Sequence, residues 1–97
     1  MKVRFEWDPA KAAINLRKHG VSFETAMRVF SDPFALAEQD RIEGGEQRWR
    51  TIGVVEGWLF VLVAHTVRED NEFEVIRIIS ARRAEPKERR RYEQENR

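Results

Sequence analysis

The chain has 97 residues, no cysteine and a formal net charge of +1, and it is 41% hydrophobic and 10% aromatic. Such a length suits one domain, 1–97, with one modest core, and the missing cysteines exclude a disulfide framework, Cys-ligated zinc and thiol catalysis. The longest apolar run, Trp58 to Ala64, is far short of the roughly 20 residues of a membrane helix, so a cytoplasmic protein with no membrane association is expected.

Val3, Phe5 and Trp7 alternate with Arg4 and Glu6, the pattern of a half-buried strand, and the segment is too short and too charged for a signal peptide. Asp8-Pro9 opens a helix that runs to about His19, where Gly20 supplies a left-handed stop. Ser22 restarts it with Glu24 in the first turn, and Phe23, Ala26, Met27 and Phe30 make one apolar stripe. Asp32-Pro33 ends this second helix. Phe34 to Glu38 then reads as a short strand, Arg41 to Glu46 as a loop around Gly44-Gly45, and Trp49 to Val55 as a strand. Glu56-Gly57 suits a tight hairpin turn into the apolar run Trp58 to Val67. Arg68 to Asn71 turns the chain again, and Glu72 to Ser80 is the last strand, with Ile76 and Ile78 toward the core. Pro86 opens a final helix to about Glu95 whose one large apolar residue is Tyr92. Trp7, Trp49 and Trp58 read mostly as core by pattern. The expected fold is α+β, a small antiparallel sheet with helices packed on one face, summarised as β-α-α-β-β-β-α.

Charge is unevenly spread. From Ser22 to Glu46 there are two positive and six negative residues, whereas Arg82 to Tyr92 holds six positive and two negative. A polyanion can meet one surface while a basic partner covers another, although a mixed solvated surface gives the same counts.

Phe5-Glu6-Trp7-Asp8 with Lys11 and Asn15, then Lys18-His19-Gly20-Val21-Ser22-Phe23-Glu24 with Ala26, resembles the opening of the BrnT toxin family. Arg77-Ile78-Ile79-Ser80-Ala81-Arg82-Arg83-Ala84, followed by Glu88-Arg89 and Tyr92, resembles its ending, and Glu46, Arg48 and Gly53 match in between. The resemblance covers nearly the whole chain. It implies a RelE-like fold and an endoribonuclease that cleaves RNA and stops translation. It also implies a dedicated BrnA-like antitoxin with a ribbon-helix-helix DNA-binding half, the complex binding operator DNA to repress its own operon. In such sequences the position before Thr66 is often aromatic; here it is His65. The acidic stretch from Glu24 to Glu46 and the poorly amphipathic final helix are the segments expected to bind the antitoxin.

Metal-free RNA cleavage uses the ribose 2′-OH as nucleophile, so the site needs a proton acceptor, a proton donor for the leaving 5′-oxygen and cations on the phosphate. The sequence offers no Gly-rich phosphate loop, no metal-ligand spacing and no Ser-His-Asp arrangement, so neither a metal nor a cofactor is expected. What remains is two histidines, one tyrosine and a surplus of arginine. Arg77 is opposite in parity to Ile76 and Ile78, so it should emerge from the uncovered side of the sheet, where its planar fork matches phosphate. Arg48, at the start of its strand, and Arg68, at a hairpin, can lie near it. Arg82, Arg83 and Arg89 are further RNA-backbone candidates. Tyr92 can stack on a base, donate a proton or anchor its helix. His65 shares a strand face with Val61 and Val63 and is either a buried imidazole or an acid–base group. His19 either caps its helix or, as the resemblance suggests, joins the site. Two rivals compete: a non-catalytic domain that binds RNA or protein, and a DNA-binding regulator, against which the lack of a helix-turn-helix or ribbon motif speaks.

Overall fold

The computed structural model describes residues 2–96 as a five-stranded sheet with three helices. β1 (Lys2–Glu6) is followed by α1 (Pro9–His19), α2 (Phe23–Met27) and a 3-10 turn (Arg28–Ser31). Then come β2 (Leu36–Glu43), β3 (Glu46–Val55), β4 (Leu59–Asp70), β5 (Phe73–Arg83) and α3 (Pro86–Glu95). The spatial order is β1-β5-β4-β3-β2. β2 to β5 form an antiparallel meander, and β1 lies parallel to β5 with Phe5 opposite Ile76.

Local signals set the boundaries. Asp8 Oδ1 accepts the Ala10 N–H at 2.8 Å and Ser22 Oγ accepts the Thr25 N–H at 3.0 Å, each satisfying a free donor at a helix start. Glu85 and Glu88 form a reciprocal capping box ahead of α3. The β3–β4 hairpin turns on Glu56-Gly57 with φ of 60° and 78°, the left-handed pair that a two-residue connection between twisted strands requires.

The core lies between α1–α2 and one face of the sheet, where Val21, Phe23, Ala26 and Val29 pack on Val55, Val61, Val63, Ile78 and Ala81. Trp7 closes it, edge-on to Phe23 with ring centres 6.0 Å apart. The 3-10 turn sits so close to β3 that a Cβ on Gly53 would lie 2.9 Å from Val29 Cγ1 and 3.1 Å from the Val29 carbonyl oxygen. Only glycine leaves that room. Asn15 is buried, and its amide donates to the carbonyls of Val21 and Ala81 while accepting the Ala81 N–H. It thereby satisfies the stretch of β5 that the short β1 does not reach.

Several expectations are corrected. The sheet is mixed, not purely antiparallel: β1 meets β5 only after most of the chain has intervened, so no hairpin dictates its direction. Five strands are present, as the segments read in chain order give and the summarised order does not, and β2 is longer than expected, running through residues read as loop to turn at Gly44-Gly45. The apolar stripe is interrupted at Met27, where the chain tightens into the 3-10 turn, burying Val29 fully and leaving Phe30 half-buried. Trp58 is not core; it is 62% exposed at the hairpin, beneath the Arg83 guanidinium. Finally, the helices do not share one face. α3 crosses the opposite face over the row Arg82, Leu62, Ile52, Leu36. Lacking an apolar stripe, it is held by Tyr92, whose ring meets Phe60 edge-on at 5.5 Å and whose hydroxyl donates to Asp32 Oδ2 at 2.6 Å. The ion pairs Arg82–Glu88 and Arg91–Glu38 complete the attachment. Among the described residues no helix is long and apolar enough to cross a membrane.

Candidate active site

Strand alternation sorts the side chains onto two faces. Val61, Val63 and His65 of β4 point toward α1 and α2, and Leu62, Ala64, Thr66 and Arg68 point the other way. On this second face the ladder builds rows, one of which reads Glu6, Arg77, Thr66, Arg48 from β1 to β3. Arg4, Val75 and Arg68 flank it on one side, and Ser80, Ala64 and Arg50 on the other. The β4–β5 register shifts between Ala64 and His65, leaving Ile79 as an extra residue, so Arg77 and Arg82 share this face despite their opposite parity. Strands lie about 5 Å apart, so the backbones at Arg77 and Arg48 are separated by roughly 10 Å with Thr66 between them. Two arginine side chains span that gap and can grip one phosphate above Thr66. Six arginines (Arg4, Arg48, Arg50, Arg68, Arg77 and Arg82) issue from the face, and α3 roofs only the Arg82 end.

Carboxylates hold most of these arginines, with unequal strength. Arg68 donates to both oxygens of Glu6, and that hydrogen bond holds the Glu6 carboxyl below the usual carboxylate range against the opposing effect of burial. Arg77 Nη1 is 3.7 Å from Glu6, and Arg48 Nε is 3.6 Å from Glu43, with no hydrogen-bond partner of its own. Arg50 is exposed and has no ion-pair partner within 4.0 Å among the described residues. Arg82, in contrast, grips Glu88 with two bonds of 2.9 Å that raise the guanidinium's pKa and lower the carboxyl's. An incoming phosphate therefore displaces only long contacts at Arg77 and Arg48, whereas at Arg82 it must break a bidentate pair.

Of the residues singled out by sequence, the structure brings Arg77, Arg48 and Arg68 together and leaves Arg82 at the edge of the same face. It does not bring His65 to them. That ring is 3% exposed on the helix-bearing face, edge-on to Phe30 at 4.9 Å, and shares a 2.7 Å hydrogen bond with Thr51 Oγ1. Burial lowers its pKa to about 4, so the imidazole is neutral near pH 7. Tyr92 serves as the anchor of α3; burial and the Asp32 carboxylate push its phenol up to about 12. His19 ends α1 in a separate cleft of about 200 Å³ with Lys11, Asn15, Lys18, Ile79 and Ser80. Arg83 lies over Trp58, and Arg89 over Phe60 at 4.3 Å. Sequence reasoning passed over Glu6, Thr66 and Arg50. Arg50 was within reach, since it shares the parity of Arg48 in one strand; Glu6 required knowledge of the β1–β5 pairing.

A mixed sheet with α1 and α2 over one face, and an arginine-bearing face opposite that α3 covers only at the Arg82 end, defines a small α+β domain able to present paired cations to an anionic partner. The chain belongs to the BrnT family: the family model described as "Ribonuclease toxin, BrnT, of type II toxin-antitoxin system" matches residues 7–88. It is thus a ribonuclease toxin by family, a class defined by an RNA substrate and an antitoxin partner. No curated protein sequence matches the chain. Among solved structures it is similar to the 1.1 Å crystal structure of the Brucella abortus ribonuclease toxin, BrnT. The TM-score is 0.62 at 23% identity, over 88% of this chain and 99% of that one. At that identity the likeness speaks for the fold.

Proposed function

We propose that this chain cleaves RNA without a metal on the arginine-bearing face of its sheet, as the toxin of a pair related in fold to RelE. The row Glu6, Arg77, Thr66, Arg48 carries the reading. The ribose 2′-oxygen attacks phosphorus, the bond to the 5′-oxygen breaks, and a 2′,3′-cyclic phosphate remains. Charge growing on the non-bridging oxygens falls between Arg77 and Arg48. Glu6 takes the 2′-OH proton, and water protonates the leaving 5′-oxygen. While Arg68 and Arg77 hold Glu6 it is a weak base. Once the Arg77 fork turns to the phosphate, Glu6 loses a cation that lowers its pKa, so substrate binding strengthens the base. Arg68 and Arg50 extend the cationic surface along the flanking backbone. In this reading the protein acts in the cytoplasm, its antitoxin carries a ribbon-helix-helix domain, and the complex binds operator DNA.

Purified protein is to be incubated in EDTA with an RNA oligonucleotide and with the same oligonucleotide carrying 2′-deoxyribose throughout. Cleavage of the first alone, with a 2′,3′-cyclic phosphate end, is expected. In cells, induction without the antitoxin should degrade mRNA and arrest growth. Intact RNA and healthy growth at high soluble expression would overturn the catalytic reading in favour of a binding domain.

A further inference from the structure

The helix-bearing face of the sheet is covered only in part. Beyond the core, toward the β4–β5 turn, Phe30, Ala37, Trp49, Val67 and Ile76 line a groove of about 360 Å³, with Glu74 at its side. Val67 is 40% exposed, and Val3, which pairs with Glu74, is 50% exposed. Two β-branched apolar side chains thus stand in water beside a half-filled groove, an arrangement that burial against a partner relieves. Glu74 also lies directly opposite Glu69 in the ladder. Like charges so placed destabilise a sheet pair, and among the described residues neither has a cation within 4.0 Å. On the other face Glu6, Glu43, Asp70 and Glu88 all have an arginine partner.

We propose that this groove docks a segment of the antitoxin bearing one large apolar side chain flanked by Lys or Arg. The apolar side chain fills the space between Phe30, Trp49 and Val67, and the cation lies between Glu69 and Glu74, neutralising a repulsion that no cation among the described residues offsets within 4.0 Å. β2 forms one wall of the groove through Ala37. The groove lies on the opposite face from Arg77, so docking there is separable from cleavage. The proposal rests on the toxin–antitoxin reading, and the experiment keeps the two apart.

Binding of the purified antitoxin encoded beside this chain is to be measured by calorimetry at two salt concentrations. Wild type is compared with Val67→Glu and with Glu69→Lys/Glu74→Lys, and RNA cleavage and thermal melting of each free protein are followed in parallel. Val67→Glu should weaken antitoxin binding about 30-fold or more, as loss of a hot-spot contact does. The double charge reversal should weaken it and flatten its salt dependence. Cleavage by both should stay within about twofold of wild type, because all three positions lie away from the arginine row. Val67→Ala, which introduces no charge, controls for a folding defect and should weaken binding less than Val67→Glu. Antitoxin binding undiminished in Val67→Glu and in the charge reversal overturns the groove while leaving the toxin–antitoxin reading intact. A wild-type dimer that Val67→Glu converts to monomer overturns it in favour of a second copy of this chain. Failure of wild type to bind the antitoxin overturns the reading on which both stand.

Discussion

Asp32 ties three separate segments together, and its replacement tests how α3 is held. Its Oδ2 accepts the Val54 N–H of β3 at 2.9 Å and the Tyr92 hydroxyl of α3 at 2.6 Å, and its Oδ1 accepts the Phe34 N–H at 2.9 Å. Burial alone would raise this carboxyl's pKa; the three donors outweigh it and hold it below the ordinary range. Asp32→Ala leaves the Val54 N–H and the Tyr92 hydroxyl unpaired at part-buried positions, each costing ~1–3 kcal/mol, while water can replace the exposed contact to Phe34. The expected loss is ~3–5 kcal/mol, or a drop of roughly 15–25 °C in Tm for a domain of this size. Tyr92→Phe alone should cost about 1 kcal/mol and almost nothing in the Asp32→Ala background, since the two share one bond. The sign with pH follows from the lowered carboxyl: its contribution is complete above the unfolded value near 4 and is lost as pH falls through the folded value. Asp32→Asn should therefore flatten the acid side of the stability curve. Urea unfolding followed by circular dichroism reads all three effects. An Asp32→Ala protein within about 1 kcal/mol of wild type, additive with Tyr92→Phe, would refute this account of α3.

Gly53→Ala forces a Cβ to within 2.9 Å of Val29 Cγ1 and 3.3 Å of Asp32 Oδ2, so it should destabilise by ~1–3 kcal/mol in the same unfolding assay. His65, lowered to about 4 by burial, stabilises fully above its unfolded value near 6.5 and progressively less as pH falls toward 4. At about 1.4 kcal/mol per pH unit, wild type should lose on the order of 3 kcal/mol across that window, and His65→Phe should lose much less, as melts between pH 7 and pH 4 will show. The same variant should cleave RNA near the wild-type rate, because its side chain faces away from Arg77.

The elements that announce themselves in sequence are those fixed by short-range chemistry. Asp8-Pro9, Ser22 and Pro86 each satisfy or remove a backbone group within a few residues, Glu56-Gly57 supplies a left-handed pair for a tight turn, and each marks a boundary in the fold. Neighbour choice is different. The alternation of Val3 and Phe5 says that β1 is a strand but not that it lies parallel to β5, and the charged surface of α3 hides that its holds are Asp32, Glu38 and the preceding Arg82. The candidate site divides in the same way. Arg77's parity against Ile76 and Ile78 was sufficient to put it on the outer face. The extra residue at Ile79 that brings Arg82 to the same face is a register shift no periodicity displays. His65 shared parity with Val61 and Val63, which already placed it with the core; assigning it to Arg77's site required both faces of one sheet to serve one phosphate. Glu6 is distant in sequence from Arg68 and Arg77, and only the ladder joins them.

Cleavage of RNA between Arg77 and Arg48 is tested by the single-turnover cleavage rate of Arg77→Ala. The side chain is 42% exposed on the open face with one long contact to Glu6, so the variant should melt within about 0.5 kcal/mol of wild type. Its rate on an RNA oligonucleotide should fall ~10²–10³-fold, the usual cost of losing one well-placed donor to developing charge. Arg77→Lys should recover little, because an ammonium cannot reproduce the two-point fork. A folded Arg77→Ala protein that cleaves RNA at the wild-type rate would contradict the account and move the site off this face of the sheet.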